Sequence, residues 1–120
     1  MMNILSACGV ILRARHDAVL VATMGAMGAM DTLGAVQPRV SSVPLMGGAP
    51  GLGLGLALAQ PKRKIIVVDG DASLLMQLGN LVTVASNRPV NLYHFLICNG
   101  TQFSGMSNLP VPGRERTDYC

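Results

Sequence analysis

Asp71, within Asp69-Gly70-Asp71-Ala72-Ser73, follows one strand-like apolar run, and Asn99, within Asn99-Gly100-Thr101, follows another. The stretch between them reads as a single helical segment, so the two oxygen donors close successive strands of a strand–turn–helix–strand unit. In a parallel sheet both strands exit on the same edge, which brings Asp71 and Asn99 to one place. That edge is where open α/β sheets bind ligands. A carboxylate joined by an amide or backbone oxygen is hard-cation chemistry, suited to Mg²⁺, which keeps further bonds for phosphate and water. The chemistry implied is a metal–diphosphate site.

Several elements must position these groups. Ile4, Leu5, Cys8, Ile11 and Leu12 form a helical stripe over residues 2–14. Ala18 to Ala22 is a short buried strand with Thr23-Met24-Gly25 as its exit, and the Gly/Ala/Met-rich tract from Met24 to Ala35 reads as loop and helix turn. Val40 to Leu45 forms a second strand. The alternation in Gly51 to Ala59 imitates a strand, but small residues let a helix press close to a sheet, and Gln60-Pro61 then stops it. Ile65 to Val68 is a β-branched run with the character of a central parallel strand. Leu74, Leu75, Leu78, Leu81, Val82 and Ala85 mark one continuous helix, capped by Asp71 or Ser73. Asn91 to Cys98 is the next strand, and after Gly105 no further apolar element follows. Strands alternating with helices predict an α/β fold with a three-layer open parallel sheet. A parallel sheet needs cover on both faces, and the last strand has little, so the domain reads as incomplete at its C-terminus. The whole of 1–120 is one partial domain, with its motif core at 44–105 and a tail at 106–120.

Composition narrows the class. A chain of 120 residues, half of them hydrophobic and 3% aromatic, has ample material for one core. The net charge of +3 comes largely from Lys62-Arg63-Lys64 and Arg114/Arg116. The first cluster reads as a solvated surface between helix and strand. Neither has interleaved aromatics, so no nucleic-acid partner is expected. The three cysteines form no CxxC and the N-terminus no secretory pattern, which fits a reducing, cytoplasmic setting. The uncharged stretch from Val40 to Gln60 is broken by Pro44, Pro50 and its glycines, so no membrane span is expected.

The stretch from Gly47 to Gly105 resembles the diphosphate-binding domain of thiamine-diphosphate-dependent enzymes, and within them the sulfopyruvate and phosphonopyruvate decarboxylase group. The resemblance is carried by Leu54 to Ala59, by Val68-Asp69-Gly70-Asp71-Ala72-Ser73-Leu74-Leu75-Met76 and by Ile97-Cys98-Asn99-Gly100. It implies that Asp71, the Asn99 side chain and the Thr101 carbonyl bind Mg²⁺, and that Gly70, Ala72 and Ser73 contact the diphosphate. A helix opening at Ala72 and Ser73 agrees, since its free N–H groups favour phosphate oxygens. Met46, followed by Gly47, matches the bulky apolar position under the bent cofactor. The Pro44 carbonyl matches the aminopyrimidine acceptor, and Thr23-Met24-Gly25 another cofactor-lining turn. The function implied is a thiamine diphosphate and Mg²⁺ binding part of a 2-oxo acid decarboxylase, a carbon–carbon lyase.

Two departures are mild: Ala72 stands for the last Gly of the family pattern and Cys98 for the first Asn. A larger one is that the activating glutamate belongs to a pyrimidine-binding domain. Glu115, the chain's one glutamate, lies in the tail. No catalytic residue is therefore assigned here, and a pyrimidine-binding domain or subunit in a homo- or hetero-oligomer is implied. Two other readings stand beside this one. One is a non-catalytic truncated paralogue acting by subunit pairing. The other is a Rossmann-type dinucleotide binder using Gly51, Gly53 and Gly55 with Asp69 on the ribose, although GxGxG lacks the usual spacing. Asp69 otherwise reads as structural, His94 as a core or interface histidine and His16 as surface. Gln102, Phe103 and Ser104 are candidates to line a substrate pocket.

Overall fold

The computed structural model describes residues 2–42, 45–103 and 108–110. Helix α1 spans Ile4–Ala14, and its first turn is closed by Asn3, whose side-chain oxygen accepts from the Ser6 N–H at 2.8 Å. Strand β1 (Val19–Ala22) leads into α2 (Met24–Thr32), then β2 (Arg39–Ser41), α3 (Ala49–Ala59) and β3 (Ile65–Gly70). Two short helices follow, α4 (Asp71–Met76) and α5 (Asn80–Asn87), and then β4 (Leu92–Ile97). A small hairpin of β5 (Thr101–Phe103) and β6 (Asn108–Pro110) completes the described elements.

The main sheet has the order β2-β1-β3-β4, and every pairing in it is parallel. The α/β open parallel sheet expected from the sequence is therefore the observed fold. Alternation along β1 and β3 splits their side chains between two cores. Leu20, Ala22, Ile66 and Val68 pack with Cys8 and Ile11 of α1 and Ala26, Ala29 and Met30 of α2. Val19, Val21, Ile65 and Val67 pack with Ala49 and Ala57 of α3 on the other face. Burial pushes the Cys8 thiol upward from its ordinary pKa, because the thiolate loses its hydration there.

Close approach of α3 to the sheet depends on Gly53. A Cβ at that position would collide with Val67 Cγ2 and sit 3.2 Å from Leu92 Cδ1. The helical reading of Gly51 to Ala59 is thus correct, for the reason of small residues against a sheet. It also removes the Rossmann turn, since Gly51, Gly53 and Gly55 all lie inside α3 rather than between a strand and a helix. The C-terminal end of α3 is fastened by Asn91, whose Nδ2 faces the carbonyls of Ala57, Gln60 and Arg63 at 2.7–3.1 Å.

Three expectations need correction. The Met24–Ala35 tract, read as loop and helix turn, is mostly one regular helix, because its alanines and Met30 bury against the sheet despite poor periodicity. The single helix expected after Asp71 breaks at Gln77 and Gly79 into α4 and α5, and most of its leucine stripe faces outward: Leu75, Leu78, Leu81 and Val82 are all exposed. After Gly105, where no further element is expected, β6 pairs antiparallel with β5.

Candidate functional site

The strand order reverses between β1 and β3, since the chain goes from β1 outward to β2 and returns to place β3 on the other side. Loops leaving adjacent strands in opposite directions open a crevice at such a point, and that is where α/β sheets bind ligands. A cavity of about 250 Å³ lies there. Met24 and Gly25 line it from the exit of β1, and Gly70, Asp71, Ala72 and Ser73 from the exit of β3. Met46 comes from the loop before α3, and Thr101 and Gln102 from β5. A larger hollow of about 430 Å³ lies at the opposite end of the sheet, between Ile11, Ile66, Tyr93 and Phe95. Volume does not decide between them: only the smaller one gathers the chemically equipped turns.

Asp71 is 4% exposed and joins the two turns directly. Its Oδ1 accepts from the Ala72 N–H at 3.0 Å, and its Oδ2 accepts from the Gly100 N–H at 2.8 Å. The predicted meeting of the strand ends therefore occurs, through the backbone of Gly100. Register explains it: Gly70 is paired with Ile97, so β3 and β4 finish at the same level. A carboxylate has about four lone-pair positions, so two hydrogen bonds leave room for a cation. Asn99 Oδ1 accepts from both the N–H and the Oγ1 of Thr101, at 2.9 and 3.3 Å, closing a tight turn.

Ser73 is buried and does not cap a helix. Its Oγ accepts from the Gly47 N–H at 2.8 Å, and the residue before α4, Gly70, supplies no side-chain cap either. Gly47 has φ +83°, and a Cβ there would lie 2.8 Å from the Ser73 carbonyl oxygen, so this approach requires glycine. Two residues the sequence reading missed complete the arrangement. Gln77 Nε2 donates to the Met46 carbonyl at 3.2 Å, and Asn80 Nδ2 donates to the Gly47 carbonyl at 2.7 Å. Together they seat the Met46–Gly47 turn beside the cavity. Their signal was available: polar residues interrupting a leucine stripe beside Gly79. Thr23, also buried, donates from Oγ1 to the Ser42 carbonyl at 3.1 Å and ties the exits of β1 and β2. Pro44 and Ser104 lie outside the described residues.

Among the described residues lining the cavity, Asp71 is the one ionisable group. No cluster of three or more His, Cys, Asp or Glu exists among the described residues, so the donors on offer are isolated oxygens rather than a nitrogen–sulfur cage. Isolated oxygens fit Mg²⁺, which binds through one or two protein carboxylates plus phosphate and water.

Residues 30–108 match the family of the thiamine pyrophosphate enzyme C-terminal TPP binding domain. The chain belongs to this family. A phosphonopyruvate decarboxylase of Streptomyces viridochromogenes is 43% identical over 90 residues, which is 74% of this chain and 22% of that protein. Another, from Streptomyces hygroscopicus, is 52% identical over 62 residues, 52% of this chain and 15% of the relative. The sulfopyruvate decarboxylase subunit beta of Methanothermobacter thermautotrophicus is 54% identical over 54 residues, 45% of this chain and 29% of the relative. The matched segments thus span less than a third of the length of each of these relatives. No helix among the described residues is long and apolar enough to cross a membrane.

Proposed function

We propose that this chain holds thiamine diphosphate and Mg²⁺ as part of a cytoplasmic 2-oxo acid decarboxylase acting on a phosphonopyruvate- or sulfopyruvate-like substrate. The observation that carries the reading is the switch-point cavity that a buried carboxylate, Asp71, lines as the one ionisable group among the described residues. An anionic diphosphate would be repelled there unless a divalent cation stood between, and Asp71 is placed to share that cation. Asn99 and the Thr101 carbonyl would supply the other protein oxygens. The six-residue α4 is too short to contribute much dipole, so the metal does most of the charge matching.

The remaining residues bind and orient. Gly70, Ala72 and Ser73 put small side chains and backbone where the diphosphate enters, so its oxygens meet no bulk. Met46, which also lines the cavity, supplies an apolar support. Gly47, whose N–H and carbonyl are taken by Ser73 and Asn80, holds that support in place. When bound, thiamine diphosphate supplies the carbon nucleophile and electron sink that decarboxylation requires; the protein's part is binding and orientation.

The activating glutamate would come from a pyrimidine-binding domain or subunit in a homo- or hetero-oligomer. Support lies in exposed large apolar residues: Met24, which lines the cavity, and Leu75, Met76 and Leu78 in and just after α4. Gln102 Nε2 reaches Met76 Sδ at 3.9 Å, so this apolar surface begins at the cavity wall.

Calorimetric titration with thiamine diphosphate, with and without Mg²⁺, tests the reading. The expected result is Mg²⁺-dependent binding that falls by at least about 100-fold in Asp71→Ala, consistent with loss of a charged ligand. Asp71→Asn keeps an acceptor for Gly100 but loses the charge, so it should fold normally and still fail to bind. Binding that ignores Mg²⁺, or that survives both substitutions, would sink the proposal.

A further inference from the structure

We propose that Asp69 and His94 form a cross-strand clasp that positions the two metal-site turns relative to each other. The inference rests on the functional reading above and adds two positioning residues to it. Asp69 is the penultimate residue of β3 and 0% exposed. Its Oδ1 accepts from the Gly70 N–H at 2.8 Å, so one carboxylate oxygen fixes the orientation of the peptide that enters the Gly70–Ser73 turn. The other oxygen, Oδ2, is buried without a hydrogen-bond partner and faces His94 Nε2 at 3.6 Å. His94 Nε2 is likewise buried and without a hydrogen-bond partner.

Register places the two side chains on one face. His94 is level with Val67 and Asp69 with Leu96, so the imidazole reaches diagonally toward the carboxylate on the α3 side of the sheet. Groups that find no other partner lower the cost of their burial by facing each other. An Nε2–H directed at Oδ2 serves this whether the ring is neutral or charged, so the clasp needs no change of protonation. Asn99 lies five positions after His94, and Asp71 two positions after Asp69. The clasp therefore joins β3 to β4 directly beneath the Asp71–Gly100 hydrogen bond. A packing histidine would need no such partner; a positioning one should transmit its loss upward to the turns and not downward to the core.

Amide hydrogen exchange on the full chain distinguishes these without requiring cofactor. In His94→Leu, exchange at the Gly100 and Thr101 amides, which donate to Asp71 and Asn99, should accelerate by about tenfold or more, as a local opening does. The Leu20 amide, which donates to the Pro38 carbonyl in the far half of the sheet, should change by less than about twofold. His94→Gln, which retains a donor, should restore Gly100. Thiamine diphosphate affinity in Mg²⁺ should follow the same order, weakened in His94→Leu and recovered in His94→Gln. A wild-type chain that binds no cofactor would overturn the functional reading while leaving the exchange result to decide the clasp. Acceleration equal at Gly100 and Leu20, no acceleration at Gly100, or no rescue by Gln would each overturn the clasp. If His94→Leu does not fold, Asp69→Asn, which keeps the volume and the acceptor for Gly70, is read in the same way.

Discussion

The two halves of the sheet are built to different standards. Around β1 and β3, alternating side chains are buried on both faces, and Leu20, Val21, Ile65, Val67 and Val68 have no or almost no exposure. Around β4 and α5 the same kinds of residue stand open: Tyr93 and Phe95 are more than 40% exposed, and α5 has no buried residue at all. Among the described residues, the first half carries helices on both sides, and the second has neighbours on one. Stability should therefore concentrate in β1, β3 and their three helices. The open half offers surface to something else. Asp71, through Gly100, sits on the seam between them.

The largest expected effect lies in the closed half. Leu20→Ala deletes a fully buried side chain from the core between α1, α2 and the sheet, and should destabilise by about 2–5 kcal/mol, read from urea unfolding. A loss below about 1 kcal/mol would mean that the half is not closed in solution. Next is Gly53→Ala, whose new methyl must displace Val67 from between α3 and β3, at about 1–3 kcal/mol of overpacking. Its companion Gly55→Ala lies on the same helix, exposed and with nothing within 4 Å of a new Cβ. There the helix propensity of alanine should stabilise by about 0.5–1 kcal/mol. Opposite signs two residues apart would confirm that α3 is a helix laid on the sheet by one glycine. Equal signs would overturn that packing.

This pair also shows what was legible in the sequence. The strands at Val19–Ala22 and Ile65–Gly70 could be read because buried parallel strands are continuous β-branched or aliphatic runs, and α3 because a Gly/Ala helix is explicable only against a sheet. The meeting of the Asp71 and Asn99 turns followed from parallel strand ends. Less legible was anything set by a long-range partner. Ser73 looked like a cap and is an acceptor for Gly47. Gln77 and Asn80 carry no assignment in the sequence reading and are the struts of the Met46–Gly47 turn. The leucine stripe from Leu74 to Ala85 had the right period for a buried helix, but periodicity reports an apolar face and not what covers it. Leu74 alone of its leucines is buried within this chain.

The smallest expected effect on folding comes from that stripe, and its smallness is what makes it informative. Val82 is 69% exposed on α5. Val82→Ser removes apolar surface that the chain itself does not bury, so its unfolding free energy should stay within about 0.5 kcal/mol of the parent. If the exposed face of α4 and α5 serves assembly, the same substitution paired with Leu78→Ser should weaken association with a pyrimidine-binding partner, or self-association, in sedimentation velocity. A stability loss near that of Leu20→Ala would instead show that the stripe is covered from within the chain. In that case the two halves would be alike in solution, and the partner surface would have to be sought elsewhere.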